Sequence, residues 1–178
     1  TLVGDAGSSG GRVDGQRGNI IGIGGAGTNL ESLVRAYGAF ANGGKTRPLR
    51  FRTDEPPAQE AFLFSPEAAW IVYDMLSGVP EVGSLRRITA MASRPGLAWK
   101  TGTSYGMRDA WAIGTDRRHT IGVWVGRPDN STLLGNTGRE SAGPLLRTVA
   151  DHLGVHAYLS KPDTVEPVSI CWPLGTAA

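Results

Sequence analysis

Trp99-Lys100-Thr101-Gly102-Thr103-Ser104 is the stretch whose reading decides the fold. Leu97-Ala98-Trp99 makes an apolar approach to it. Two further runs follow, Ala110-Trp111-Ala112-Ile113-Gly114-Thr115 and Thr120-Ile121-Gly122-Val123-Trp124-Val125-Gly126, separated by the polar turn Asp116-Arg117-Arg118-His119. β-Branched and aromatic runs bounded by turn residues read as three consecutive antiparallel strands. On the first of them, Lys100 supplies a compact cation with three donors. Thr101, Thr103 and Ser104 supply hydroxyls that can donate to a carboxylate or carbonyl. Gly102 has no Cβ, so another backbone can come close. The pattern describes a strand edge that receives an anionic, extended ligand as an added strand. An exposed strand end with a solvated lysine is the plainer alternative.

With 178 residues, the chain is long enough for one domain with a real core. It is 40% apolar and 19% charged, which is ordinary for a globular protein. A net charge of +2 gives no reason to expect nucleic acid or an anionic membrane as partner. Cys171 is the sole cysteine, so no internal disulfide can form. No run reaches the length of a membrane span, and Thr1 begins no signal peptide. The absence of an initiating Met leads to the expectation of a fragment or processed chain.

Three sections are expected. Residues 1–27 are a Gly/Ser-rich lead, mostly loop; residues 28–157 carry the folded part; residues 158–178 form an extended, Pro-rich tail ending near Cys171-Trp172-Pro173-Leu174-Gly175. A capping box with Thr28 as N-cap and Glu31 three residues on starts a helix carrying Leu30, Leu33, Val34, Tyr37, Phe40 and Ala41. Asn42-Gly43-Gly44 ends it. Arg47 to Thr53 reads as extended, with Leu49 and Phe51 opposite Arg50 and Arg52, until Pro56-Pro57. Ser65-Pro66-Glu67 opens a second helix whose apolar face is Ile71, Val72, Met75 and Leu76. Residues 79–96 are mixed, and residues 127–140 read as a polar loop. Pro144 to Leu153 reads as a third helix, apolar at Leu145, Leu146, Val149 and Leu153 and closed by Gly154. Helices, then antiparallel strands, then a helix make an α+β class, an antiparallel sheet with flanking helices, not an alternating βαβ one.

Several signals compete. Gly22-Ile23-Gly24-Gly25-Ala26-Gly27 matches G-x-G-x-x-G, which would make this a nucleotide-binding domain. The helix cap follows the last glycine, however, and Asp54 lies beyond the usual ~20 residues to a ribose carboxylate. Ala39 to Thr46 imitates a phosphate loop but ends a helix instead of starting one. His152 and His156 are four apart, yet Gly154 breaks the helix between them, so no metal site is expected. Arg86-Arg87 and Arg117-Arg118 read as surface charge.

Lys100-Thr101-Gly102-Thr103-Ser104 and its two following strands resemble the penicillin-binding transpeptidases, whose fold is shared with serine β-lactamases. The likeness is to the C-terminal half of the class A, 1C-like transpeptidase domain. It rests also on Tyr37-Gly38-Ala39-Phe40-Ala41-Asn42-Gly43-Gly44, Pro95-Gly96-Leu97-Ala98-Trp99, Asp109-Ala110-Trp111-Ala112-Ile113-Gly114, Gly122-Val123-Trp124-Val125-Gly126 and Cys171-Trp172-Pro173-Leu174-Gly175. The family joins glycan-bound peptides through an acyl-serine intermediate and carries Ser-x-x-Lys, Ser-x-Asn and Lys-Thr-Gly. The third motif falls on Lys100-Thr101-Gly102. The resemblance implies that Lys100 handles charge and protons near the nucleophile, and that Thr101, Gly102, Thr103 and Ser104 hold the substrate. Thr101 and Thr103 would bind a peptide or penicillin carboxylate, and the Thr103 backbone N–H would be half of an oxyanion hole. Ser-x-x-Lys and Ser-x-Asn occur nowhere in the 178 residues, so no nucleophile is assigned. The expectation is a portion of a D,D-transpeptidase, inactive alone, with peptidoglycan stem peptides and β-lactams as ligands, no cofactor, and a parent working on the periplasmic side of the inner membrane. A non-catalytic peptide-binding module of the same fold is the alternative.

Overall fold

In the computed structural model, which describes residues 28–78, 96–155, 158–171, 173 and 175–177, the chain is organised on a three-stranded antiparallel sheet. β3 (Ala98–Thr103) pairs with β4 (Asp109–Thr115), and β4 with β5 (Thr120–Gly126). The register sets Trp99 opposite Gly114, Thr103 opposite Ala110 and Trp111 opposite Trp124. The sheet expected from the sequence is therefore present, with β4 in the middle. Two short antiparallel pairs accompany it among the described residues: β1 (Lys45–Thr46) with β2 (Ala61–Phe62), and β6 (Ile170–Cys171) with β7 (Thr176–Ala177).

Strand alternation gives the sheet two faces. Ala110, Ala112 and Gly114 of β4 face α3 (Gly143–Leu153), together with Leu97, Trp99, Ile121 and Val123. These residues close on Leu146 and Ala150 to form the main core. The small side chains of β4 are what let the helix approach. A Cβ at Gly114 would lie 2.9 Å from Leu97 Cδ1 and 3.2 Å from Leu146 Cδ2. The other face meets α1 (Leu30–Ala41), where a Cβ at Gly122 would fall 2.5 Å from Val34 Cγ2 and 2.8 Å from Leu30 Cδ1.

Local signals set most element ends, with corrections. The N-cap of α1 is Asn29, not Thr28: Asn29 Oδ1 accepts from Ser32 N at 2.8 Å, the reach that Thr28 was expected to supply. Gly43 and Gly44 hold φ of +59° and +84° past the end of α1, as a helix stop requires. Residues 47–53, expected to be extended, form no strand. Only Lys45–Thr46 finds a partner, and Phe51 is 81% exposed. α2 (Pro66–Ser77) begins at the expected Ser65, whose Oγ accepts from Ala68 N. Its buried residues are Ala69, Tyr73 and Ser77, not Ile71, Val72 and Met75, and Met75 is 69% exposed. The helix is apolar on both sides, so periodicity alone could not say which side faces α1 and β3. On α3, Leu146 and Ala150 are buried while Leu145 and Leu153 are about half exposed. The loop expected over 127–140 ends early, because Gly138–Ala142 make a π-helical turn leading into α3.

The tail from Tyr158 is tied to α2. Trp70 Nε1 donates to the Leu159 carbonyl at 3.3 Å, Thr164 Oγ1 donates to Glu67 Oε1 at 2.8 Å, and the Tyr158 hydroxyl donates to Asp74. Its end folds back as the β6–β7 pair, so the expected extended tail is in fact a strap with a small hairpin. The glycines at 22–27, the arginines at 86–87 and His156 lie outside the described residues.

The π-helical turn sits directly on the β3–β4 hydrogen-bond ladder. A Cβ at Gly138 would lie 2.3 Å from Gly102 O and 2.7 Å from Trp111 O, both backbone atoms that cannot step aside. Gly138→Ala should therefore cost about 1–3 kcal/mol, read as a lower urea midpoint. Gly122→Ala should also cost stability, because its Cβ would press on Val34 Cγ2, part of a β-branched side chain with little rotamer freedom. Tyr73 gives a second expectation. Its ring is fully buried, its hydroxyl donates to the Gly96 carbonyl at 2.6 Å, and burial pushes its phenol up to about 12. A raised folded-state value means this stabilisation is complete below the unfolded value of ~10 and is lost as pH climbs towards the folded one. The urea midpoint should drop more steeply between about pH 10 and about pH 12 in the native chain than in Tyr73→Phe.

Candidate active site

β3 is an edge strand of its sheet, and its backbone alternates between two directions. Ser104 N donates to Asp109 O at 2.9 Å, so its amide points towards β4. Alternation turns Gly102 and Lys100 the same way, and it turns the N–H and C=O of Thr101 and Thr103 outward. No strand among the described residues takes those outward groups. This row can therefore pair with an extended peptide laid along the edge.

The side chains follow the opposite division. Thr101 and Thr103 lie on the α3 face, Lys100 and Gly102 on the α1 face. Thr103 Oγ1 accepts from Gly138 N at 2.9 Å. A hydroxyl that accepts still has its own proton to donate. The methyl of Thr101 lies toward the start of α3, 3.8 Å from where a Cβ on Gly143 would stand. Lys100 is exposed, and its Nζ donates to the Thr101 carbonyl at 2.7 Å. The amine thus folds over the strand's outer edge, among the same backbone groups.

Gly102 does not admit the backbone that crosses the strand. A Cβ there would meet only Trp111 Cβ at 3.8 Å, an ordinary contact. The glycine demanded by close approach is Gly138, on the other side of the same peptide. Nothing in the sequence near Gly138 signals this, because the contact spans 36 positions. Ser104 closes the strand: its Oγ accepts from Asp109 N at 2.9 Å, which sets up the turn at Tyr105–Met107. Gly106 and Met107 in that turn have φ of +75° and +55°. Beyond it, Trp111 and Trp124 stack obliquely with centroids 6.3 Å apart, and Trp124 Nε1 donates to Asp109 Oδ1 at 2.8 Å. The four-residue turn at 116–119 implies this pairing of tryptophans once the hairpin is accepted, a signal that sequence reading left unused. No group of three or more potential metal ligands exists among the described residues. No described helix is long and apolar enough to cross a membrane.

Comparison with known proteins agrees with this fold. The profile of the penicillin binding protein transpeptidase domain matches residues 1–147. Penicillin-binding protein 1C of Escherichia coli is 43% identical over 86% of this chain, and the match spans 20% of that protein. Penicillin-binding protein 1B of Vibrio cholerae is 30% identical over 80% of this chain and 18% of its own length. The chain thus spans about a fifth of the relatives it matches. Among solved structures, penicillin-binding protein 1A of Haemophilus influenzae superposes with a TM-score of 0.67 over 90% of this chain and 32% of that one; at 19% identity the likeness speaks to the fold alone. The profile match takes in the glycines at 22–27, which therefore need no nucleotide to explain them. On the strength of the profile, the chain belongs to the transpeptidase domain family of the penicillin-binding proteins.

Proposed function

We propose that this chain supplies the substrate-holding strand and flanking core of a serine-type D,D-transpeptidase of peptidoglycan synthesis, acting outside the cytoplasmic membrane. On this reading residues 28–157 are the C-terminal part of the catalytic domain, residues 1–27 lead into it, and residues 158–178 strap it. The observation that carries the reading is the outward-facing amide of Thr103 on an edge strand, with the Lys100 amine and the Thr103 hydroxyl beside it.

The chemistry follows from that arrangement. A stem peptide, or a β-lactam in its place, lies antiparallel to β3 and bonds to the outward groups of Thr101 and Thr103. Its carboxylate takes the proton of the Thr103 hydroxyl and the field of Lys100. Its scissile carbonyl then sits against the Thr103 N–H. That donor strengthens as negative charge builds on the carbonyl oxygen, which lowers the barrier more than it tightens ground-state binding. The attacking serine and the second oxyanion N–H come from sequence that these 178 residues do not include, since Ser-x-x-Lys and Ser-x-Asn are missing from them. Lys100 swings from the Thr101 carbonyl towards that serine when the site is complete.

The isolated chain should therefore not be acylated. Labelled penicillin, followed by denaturing gel and intact-mass spectrometry, should leave no adduct; a covalent adduct on any of its serines would refute the reading. Reversible binding separates the catalytic-strand reading from a free-standing peptide-binding module. If the chain is such a module, titration calorimetry with a D-Ala-D-Ala-terminated peptide gives saturable heat that Lys100→Ala weakens. A catalytic strand that needs its other half gives none.

A further inference from the structure

The far end of the sheet holds a second arrangement, which the transpeptidase reading does not use. A cavity of about 310 Å³ opens between the end of α1, β1 and the 116–119 turn. Its size is at the lower limit for small-molecule sites. The lining includes Arg35, Lys45, Arg47, Arg117, Arg118 and His119, with Asp116 as the one acidic residue. A chain with a net charge of only +2 thus concentrates five permanent cations around one hollow.

The acids nearby leave most of that charge uncompensated. Asp116 is 2% exposed and turned into its own turn, where Oδ1 accepts from Arg118 N at 2.8 Å and His119 N at 2.6 Å. Its distance to His119 Nδ1 is 3.4 Å. Glu60 is shared between Lys45 at 3.7 Å and Arg47 at 3.9 Å, both long contacts on exposed side chains. Arg35, Arg117 and Arg118 have no carboxylate partner among the described residues. Among the described residues, Arg35 Nε is moreover buried with no hydrogen-bond partner. A buried guanidinium N–H without an acceptor is costly and needs an explanation. An anion in the hollow supplies one.

We propose that this cavity is a phosphate-binding site, separate from the β3 edge. Four of its five permanent cations are arginines, whose planar forks match phosphate oxygens in pairs. A phosphate carries three acceptor oxygens and up to two negative charges, which suits several guanidinium groups better than a single carboxylate does. β4 separates the two sites, since Thr103 pairs with Ala110 at one end and the 116–119 turn follows Thr115 at the other. That is a separation of roughly 20 Å along the strand.

Titration calorimetry of the full chain with inorganic pyrophosphate at low ionic strength tests the site. Saturable one-site binding is expected. It should weaken at least tenfold in Arg35→Gln and in the double variant R117Q/R118Q, with circular dichroism checking the fold. Arg117 and Arg118 are exposed, so the double variant keeps the test valid if Arg35→Gln does not fold. Arg147→Gln, on α3 across the sheet, should leave binding unchanged. Flotation with phosphatidylglycerol and phosphatidylcholine vesicles identifies the source of the phosphate. Selective capture by the anionic vesicles, lost in R117Q/R118Q, points to a lipid headgroup; pyrophosphate binding without capture points to a soluble phosphate. No saturable binding in either assay, or an equal loss in Arg147→Gln, overturns the proposal.

Discussion

β4 is the strand on which the rest depends, because it alone is hydrogen-bonded along both sides of the central sheet. Its alternation assigns side chains to two helical layers at once. Ala110, Ala112 and Gly114 leave shallow space that Leu146 and Ala150 of α3 fill. Ile113 and Thr115 turn to the α1 side, where Gly122 of the neighbouring strand makes room for Leu30 and Val34. A larger residue at either glycine would push a helix off the sheet. Packing at interior density leaves little room for such a shift.

The same strand keeps two chemical regions apart. At one end, β3 passes its outward amides to the surface beside Lys100, and the π-helical turn holds Thr103 from behind through Gly138. At the other, the tight 116–119 turn buries its own carboxylate and pushes two arginines outward towards α1 and β1. On the proposed readings a rigid sheet suits both regions, since each would need donors held still relative to a ligand. Catalytic hydrogen bonds in particular gain from donors that need not reorganise as charge develops.

Much of the central sheet was legible because its signals are local. Strand runs, the polar turn between them and the Lys-Thr-Gly motif all sit within 30 consecutive residues, and one family resemblance covers them. The helix stops at Gly43–Gly44 and Gly154 were equally local, as each rests on a positive φ that glycine adopts without strain. The cap of α1 was misplaced by one residue because Thr28 and Asn29 are both good caps, and only geometry shows which oxygen reaches Ser32. The inward side of α2 was misjudged for a different reason. Ile71, Val72 and Met75 are more hydrophobic than Ala69 and Ser77, yet the side carrying Ala69, Tyr73 and Ser77 is the one that packs inward.

The sequence alone determined the α+β class, the three antiparallel strands, the place of Lys100 to Thr103 on the first of them, and the lack of the other two family motifs. These follow from short-range patterns, in which each residue's neighbours along the chain are its neighbours in space. Only the tertiary structure decided that Gly138 lies over Gly102, that the tail from Tyr158 straps α2, and that Arg35, Arg47 and Arg118 converge on one hollow. Those contacts join segments dozens of residues apart. Composition averages such charges to nearly nothing, and folding is what brings them together.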